Sequence, residues 1–164
     1  MNDTSRKNIV IICGSKSDFP QVKAVCSDPA IKAKIVIHIA SCHRNPEELT
    51  EFIFNRLHDG DFVIGVGSKA LALPGVIDAW AHCYKKNIRV AGVALGETDS
   101  QELIDAQRSI MGLPSQPVIF NEKRNQAYTG PFGLRELIDL IEKGEIPQPK
   151  PRKEANAEFD VWSN

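Results

Sequence analysis

Five short apolar runs, separated by longer amphipathic segments, constrain the fold more than any other feature of this sequence. The runs are mostly rich in Val and Ile and cover residues 9–13, 35–39, 62–66, 90–95 and 118–120. Runs of this length and composition are typical of strands buried on both faces of a parallel sheet. The segments between and after them have helical spacing, at residues 19–27, 46–58, 74–86, 100–111 and 134–142. The alternation predicts an α/β fold, a three-layer αβα sandwich around a parallel sheet.

The length and composition fit a single globular domain followed by a tail. The chain has 164 residues, of which 42% are hydrophobic and 25% charged. We place the domain at residues 1–146 and the tail at residues 147–164, where prolines at the start oppose a helix. We expect the tail to be disordered or to lie along another surface, such as a neighbouring subunit. Its apolar anchors would be Phe159, Val161 and Trp162.

Charge and targeting signals narrow the class of protein. The formal net charge of −1 gives no general field that would attract nucleic acid or an anionic membrane. No apolar run approaches the ~20 residues of a membrane span, and Met1–Lys7 leads into no secretory signal. The four cysteines are too widely spaced for a zinc site or a disulfide framework. We expect a cytoplasmic protein with reduced thiols and with no metal, nucleic-acid or membrane partner.

The first candidate loop, residues 14–18, directly follows the first apolar run. Ligands of such sheets bind beyond the carboxyl ends of the strands, which is where this loop lies. Gly14 permits close approach of a ligand to the backbone, and Ser15 and Ser17 supply hydroxyls. Asp18 is predicted either to cap the following helix or to hold a ribose diol. The alternative is a plain strand-to-helix turn.

The second candidate loop, residues 41–46, follows the second run and begins with Ser41. Pro46 suits the first turn of a helix, with Asn45 as its cap. That arrangement places His43 and Arg44 at the carboxyl edge of the sheet. A histidine exchanges protons near neutral pH, and an arginine can bind phosphate through two N–H groups. The alternative is a polar turn whose side chains only face solvent.

The third candidate loop, residues 65–75, is rich in glycine. A backbone of this kind lets a ligand contact its N–H groups. We assign Gly67, Ser68, Lys69 and Leu73 to the candidate binding site, with Lys69 able to meet a carboxylate or a phosphate. The alternative is a flexible turn with a solvated lysine.

Taken together and in order, these loops resemble the PurE family. That family comprises carboxyaminoimidazole ribonucleotide mutase (an isomerase) and, in another class, aminoimidazole ribonucleotide carboxylase (a lyase). The family motif GSxSD corresponds to residues 14–18, SAHR(T)P to residues 41–46, and LPG to residues 73–75. The resemblance extends from about Asn8 to Glu142.

The resemblance implies a flavodoxin-like fold, a homo-octamer, a ribonucleotide substrate, and neither metal nor organic cofactor. It implies carboxyl transfer on aminoimidazole ribonucleotide in de novo purine biosynthesis. By match, Ser15 and Asp18 would contact the carboxyl group and the ribose region, and Ser41 and Arg44 would hold the phosphate. His43 would be the proton shuttle, which removes the ring proton after the ring carbon has attacked trapped carbon dioxide.

The third loop departs from the family pattern. Ser68 and Lys69 stand where the family has a Gly-Gly pair, and Ala72 stands where it has a histidine. Two alternatives therefore accompany the enzyme reading. One is a divergent paralogue that acts on another phosphorylated carboxylate, with Lys69 as the recognition group. The other is a non-catalytic nucleotide-binding or assembly protein that keeps the fold and the phosphate loop.

Overall fold

Strands and helices alternate along the chain in a computed structural model that describes residues 8–153 and 155. The strands are β1 (Asn8–Cys13), β2 (Lys34–Ile39), β3 (Phe62–Gly67), β4 (Arg89–Ala94) and β5 (Tyr128–Thr129). The helices are α1 (Phe19–Cys26), α2 (Pro46–Arg56), α3 (Leu73–Cys83), α4 (Gln101–Met111) and α5 (Gly130–Lys143). The first four helices agree with the predicted bounds to within three residues at either end.

The five strands form one parallel sheet in the order β2-β1-β3-β4-β5. The register of the centre is set by Ile9, which lies beside Ile35 of β2 and Phe62 of β3. This strand order is that of flavodoxin-like folds, in which the chain reverses its direction of winding between β1 and β3. The predicted fold class is therefore confirmed.

Two apolar layers cover the sheet because successive side chains of a strand point to opposite faces. On one face Val10, Ile12 and Val63 pack with residues of α2, α3 and α4. On the other face Ile9 and Ile11 pack with residues of α1 and α5. The edge strand β2 differs from the expectation of burial on both faces, since none of its residues is fully buried.

The fifth strand is not where the sequence predicted it. Residues 118–120 are buried, but only Ile119 pairs with the sheet, through a single bridge to Ala91. The paired strand is β5, which lies beside Val93 and Ala94 of β4. Between the two, residues 121–126 turn out of the sheet and are closed by an antiparallel bridge. This turn interrupts the pairing with β4. The buried apolar run at residues 118–120 and the paired strand β5 are therefore different segments of the chain.

Helix α5 begins at Gly130, four residues before its predicted start. Gly130 has a φ of 64°, which a glycine adopts without strain, and Pro131 then occupies the first turn. Gly133 lies against the preceding strand, where a Cβ atom would come within 2.9 Å of the carbonyl carbon of Tyr128. Residues that usually break helices thus serve here to start one close to the sheet.

The start of the tail lies against its own chain. Arg152 forms an ion pair with Asp78 of α3, and the backbone N–H of Lys153 donates to Oγ of Ser115 at 3.2 Å. The anchors predicted at Phe159, Val161 and Trp162, and the N-terminal residues 1–7, lie outside the described residues. Among the residues described, no helix is both long enough and apolar enough to cross a membrane.

Candidate active site

A cavity of about 460 Å³ opens at the carboxyl edge of the sheet, where the loops after β1, β2 and β3 meet. At this point the helices that follow β1 and β3 leave to opposite faces, which is where ligands bind in sheets of this order. We call it the main cavity. It is lined by Gly14, Ser15, Ser17, Asp18, Ser41, Cys42, His43, Arg44, Gly67, Ser68, Lys69, Ala70, Leu71, Ala72 and Leu73.

Every residue predicted for the site lines this cavity. The structure thus brings all three loops together, although the roles of the individual residues stay predictions. The cavity also contains residues that the sequence did not single out for the site, namely Cys42, Ala70, Leu71 and Ala72. Ala70 and Leu71 are small or apolar and belong to no motif, whereas Ala72 is the position at which the resemblance places a histidine.

The first loop is held by hydrogen bonds between its own serines. Oγ of Ser15 accepts the hydroxyl of Ser17 at 2.9 Å and the backbone N–H of Ser17 at 3.3 Å. With both acceptor positions of Ser15 occupied, its single hydrogen is left to donate to a ligand. Ser15 is therefore prepared to meet a ligand oxygen as a donor.

Asp18 is buried in the wall of the cavity. Asp18 is only 6% exposed. Its Oδ2 lies close to Gly67, 3.8 Å from where a Cβ atom would stand if that glycine carried one. Burial raises the pKa of the Asp18 carboxyl, while a backbone hydrogen bond from Ser15 and the charge of Arg44 oppose that rise. Asp18 occupies the N-cap position of α1 but forms no side-chain cap, so the capping alternative is wrong. The carboxyl remains available as an acceptor for hydroxyl groups.

The second loop is organised around Ser41. Its Oγ accepts the backbone N–H groups of His43 at 3.3 Å and Arg44 at 3.2 Å. As in Ser15, the acceptor positions are filled and the hydroxyl hydrogen is left for a ligand. His43 itself is exposed beside the cavity, so its imidazole can contact a bound molecule.

The predicted cap of α2 is also wrong. Asn45 stands at the N-cap position, but its side chain forms no capping hydrogen bond with the helix. Instead Oδ1 of Asn45 accepts the backbone N–H of Ser41 at 2.7 Å. The side chain is thus directed back into the second loop rather than forward into the helix.

Arg44 connects the first two loops. Its guanidinium donates through Nη2 to the carbonyl oxygen of Gly14 at 2.7 Å. A guanidinium has five N–H donors, so this bond leaves others free for a phosphate or carboxylate. The charge of Arg44 is therefore held beside the backbone of the first loop.

The third loop is built differently. Lys69 has a φ of 58°, a left-handed conformation that is unfavourable for a residue with a Cβ atom. Its Nζ lies 3.4 Å from Oε1 of Glu102 on α4, and these side chains are 73% and 56% exposed. The floor beneath is tight, because a Cβ atom on Gly67 would come within 2.8 Å of Cδ1 of Leu71. Lys69 thus lines the cavity but is drawn toward α4.

Cys42 is unsuited to nucleophilic attack. Burial raises the pKa of its thiol, and the reactive form of a cysteine is the thiolate. The described part of the chain also holds no group of three or more His, Cys, Asp or Glu side chains that could bind a metal ion. The polar groups that the first two loops bring to the cavity are the imidazole of His43, the serine hydroxyls, the guanidinium of Arg44 and the carboxyl of Asp18.

This chain is similar to known proteins in both sequence family and fold. Residues 8–128 match the family model described as AIR carboxylase. The crystal structure of Treponema denticola PurE is similar with a TM-score of 0.57 and 22% identity, over 75% of this chain and 77% of that chain. The crystal structure of a single-residue variant of Treponema denticola PurE2 is similar with a TM-score of 0.63 and 20% identity, over 84% of this chain and 80% of that one.

At these identities the structural neighbours show the fold, and no protein with a curated function matches the sequence. The family match carries the assignment, because it spans most of the chain and includes the first two loops with their serines, His43 and Arg44. It supports a PurE-like role in purine biosynthesis. The chain belongs to the AIR carboxylase family.

Proposed function

We propose that this protein transfers a carboxyl group on aminoimidazole ribonucleotide, with His43 as the proton shuttle. One observation carries the proposal. The main cavity places an exposed imidazole beside two serine hydroxyls and a guanidinium, all on the first two loops, at the ligand-binding edge of the sheet. This combination supplies both a site for an anionic nucleotide and a group that moves a proton.

The two serines and Arg44 favour a phosphorylated ligand. Ser15 and Ser41 each have their acceptor positions filled from within their loops, so each offers a hydrogen. The cation of Arg44 lines the same cavity and is held at the Gly14 carbonyl, and its free N–H groups complement an oxyanion. Asp18, the buried acceptor, suits the hydroxyl groups of a ribose. In this arrangement phosphate and ribose are held by different parts of the cavity.

His43 performs the proton step. When the carboxyl group is supplied by a carbamate, its C–N bond breaks and releases carbon dioxide, and the ring carbon then forms a new C–C bond with it. The imidazole removes the proton left on that carbon, and the proton returns to the exocyclic nitrogen, so atoms and charges balance. Holding carbon dioxide next to the nucleotide is a proximity effect that a dry cavity provides.

A second candidate function is carboxyl chemistry on a different phosphorylated carboxylate. The observation that favours it is the third loop, in which Lys69 lines the cavity where the resemblance places a Gly-Gly pair. An ammonium there could bind a carboxylate by charge, in place of backbone N–H groups. The phosphate-binding loops would be unchanged in this reading.

The proposal also covers the organisation of the molecule. Residues 1–146 form the catalytic domain, with residues 147–164 as its tail, and the enzyme works as a homo-octamer in the cytoplasm. Light scattering on the purified full chain measures the oligomeric state directly. If the purified chain is a monomer, the proposed octamer is wrong, and the proposed function of the cavity is unaffected.

The decisive experiment is a coupled assay with purified protein. Carboxyaminoimidazole ribonucleotide is supplied in one reaction, and aminoimidazole ribonucleotide with bicarbonate in the other. Ring-carboxylated product in the first reaction indicates a mutase, and product only in the second indicates a carboxylase. If neither reaction yields product while the nucleotides still bind, the proposed reaction is wrong and the second candidate, or a non-catalytic binding role, takes its place.

A further inference from the structure

The start of α2 has the spacing of a helix cap but not its hydrogen bonds. Asn45 and Glu48 are three residues apart at the N-cap and N3 positions, as in a capping box. In that motif the N-cap side chain accepts a helix N–H, and the N3 side chain turns back to the N-cap N–H. Here the Asn45 side chain caps nothing, and its backbone N–H donates to the carbonyl oxygen of Ser41 at 3.1 Å. Both side chains are therefore free to act elsewhere.

The two side chains form a chain of contacts that runs into the second loop. Nδ2 of Asn45 donates to Oε2 of Glu48 at 2.8 Å, and Oδ1 of Asn45 accepts the N–H of Ser41 at 2.7 Å. The other carboxylate oxygen of Glu48 lies 3.5 Å from Nε2 of His38, and no hydrogen bond is formed between them. The His38 ring is stacked on Phe52 with centroids 3.9 Å apart. Glu48 is thus placed between a fixed ring and the loop.

Ser41 is what this chain of contacts holds. Asn45 binds it from both sides, through its amide oxygen on the Ser41 N–H and through its own N–H on the Ser41 carbonyl. Oγ of Ser41 in turn accepts the N–H groups of His43 and Arg44. An uninterrupted series of hydrogen bonds therefore leads from the carboxylate of Glu48 to the backbone of the candidate proton shuttle.

We propose that Asn45 and Glu48 are positioning residues that fix Ser41, His43 and Arg44 for the carboxyl-transfer reaction. The kinetic part of this inference rests on the proposed function, whereas the ordering of the second loop does not. An N-cap side chain normally stabilises its helix. Because Asn45 gives no such bond to α2, its removal should loosen the loop more than it weakens the helix.

The pair also borders a second cavity of about 400 Å³ that adjoins the first. The second cavity shares Gly14, Ser15, Ser41 and Arg44 with the main cavity and adds Lys16, Ile39, Asn45 and Glu48. The hydrogen bond between Asn45 and Glu48 therefore lies in the wall of the second cavity, which Arg44 also lines. A shift of this wall would move Arg44 and the Ser41 hydroxyl together.

The test compares four single variants and one double variant of the full chain. Asn45→Ala removes both bonds of the amide, and Glu48→Ala removes its partner. Glu48→Gln keeps an oxygen that accepts from Nδ2 of Asn45 and serves as the conservative rescue. Thr50→Ala is the matched control, because it removes a side-chain hydrogen bond of α2, to the carbonyl of Glu47, that leads away from the loop.

We expect kcat/KM to fall by about tenfold to a hundredfold in Asn45→Ala and Glu48→Ala, since small displacements of reacting groups have effects of this size. Part of the loss should appear in kcat, measured at saturating substrate. A change that affected only the structure of the helix would leave kcat unaltered. Glu48→Gln and Thr50→Ala should stay within a few-fold of the wild type. The Asn45→Ala/Glu48→Ala double variant should be no worse than Asn45→Ala alone, because both act through one bond.

Amide hydrogen exchange of Ser41, His43 and Arg44 gives a readout that needs no activity. Exchange should be at least about tenfold faster in Asn45→Ala and Glu48→Ala than in Thr50→Ala, since opening of a local unit sets its exchange rate. If the wild type proves inactive but exchange is faster in these variants, the proposed reaction is wrong while the ordering of the second loop by Asn45 and Glu48 is supported. Unchanged exchange, or faster exchange with normal kcat in an active enzyme, would overturn the positioning role. Should Asn45→Ala fail to fold, the comparison of Glu48→Ala with Glu48→Gln decides in the same way.

Discussion

The first two loops of the main cavity and the third loop are anchored in different ways. In the first two, Ser15 and Ser41 accept hydrogen bonds from their own loops, and Arg44 ties one loop to the other at 2.7 Å. In the third, Lys69 keeps a left-handed φ of 58°, and its side chain is held by an exposed ion pair with Glu102. Exposed pairs of this kind contribute about 0–1 kcal/mol.

This difference separates the loops whose donors are held by internal hydrogen bonds from the loop whose cation is held by an exposed ion pair. Preorganised donors stabilise a bound anion without further ordering, so the first two loops should dominate binding and catalysis. The third loop should adjust the affinity and the choice of ligand. Substitutions at five positions test that division, from the largest expected effect to the smallest.

Replacing His43 should have the largest effect. For His43→Asn we expect kcat to fall by about 10²–10⁴-fold, the usual contribution of a general acid–base group. Nucleotide affinity should stay within a few-fold, because asparagine still fills the position beside the cavity. The measurement is steady-state turnover together with calorimetric binding. His58→Asn is the control, since His58 lies beyond the far end of α2, and normal turnover in His43→Asn would make His43 a loop residue only.

Replacing Arg44 should mainly weaken binding. Charged hydrogen bonds contribute about 1.5–3 kcal/mol, so Arg44→Ala should lower nucleotide affinity by roughly tenfold or more. The same change also breaks the bond to Gly14 and should loosen the first loop. Calorimetry on the variant, with Arg56→Ala at the other end of α2 as control, measures the effect. Unchanged nucleotide affinity in Arg44→Ala would mean that Arg44 does not bind the ligand. The proposed difference between the first two loops and the third would then be wrong.

Changes in the third loop should be small and of opposite sign. Lys69→Ala should weaken carboxylate-bearing ligands, and Glu102→Gln should strengthen them by freeing the ammonium. Neither change should exceed about fivefold, given the limited contribution of exposed ion pairs. Lys85→Ala is a matched control, because Lys85 is also exposed and has a φ of 55°. A loss in Lys69→Ala as large as that of Arg44→Ala would show that the third loop is as important as the first two.

The smallest effect concerns stability. Burial raises the pKa of Asp18 above its ordinary 3.8, so the folded protein keeps a proton that the unfolded chain has released. Stability should therefore fall as pH rises from 3.8 through the higher pKa, and stay lower above it. Asp18→Asn removes the buried charge and should raise Tm at neutral pH by a few degrees while weakening ligand binding.

Thermal melts of Asp18→Asn between pH 3.5 and pH 7.5 (roughly the range in which a shifted carboxyl titrates) give the measurement. Asp61→Asn is the comparison, because Asp61 is equally buried at the opposite edge of the sheet and accepts the N–H of His58. It should leave ligand affinity unchanged. A lower Tm in Asp18→Asn at neutral pH would mean that the hydrogen bond from Ser15 outweighs the burial of the charge.

Four of the strands could be predicted because apolar runs of Val and Ile coincide with pairing in β1, β2, β3 and β4. The fifth could not, since residues 118–120 are buried without forming a strand, and pairing resumes only at Tyr128. Apolar composition reports burial, not hydrogen bonding between strands. The start of α5 was missed for a related reason. Glycine and proline disrupt the interior of a helix, but Gly130 and Pro131 occupy its first turn, where they are tolerated.

The location of the cavity followed from the rule that ligands bind at the carboxyl ends of strands, and the residues predicted there do line it. The direction of individual side chains did not follow. Asp18 and Asn45 both stand at N-cap positions, yet their side chains turn toward the site, a choice that depends on neighbours distant in sequence. The hydrogen bond between Glu48 and Asn45 was likewise not predicted, although their spacing is a capping-box signal that could have drawn attention to it.

The position of Asp18 relative to Arg44 gives the main cavity a direction. Among the residues described as lining it, the one carboxylate, that of Asp18, is buried, whereas Arg44 is exposed and Ser41 half-buried. A ligand with an oxyanion at one end and hydroxyl groups at the other can satisfy both regions in one orientation only. Discrimination between a molecule and its reversed pose would then require no moving part, because the reversed pose sets carboxylate against oxyanion.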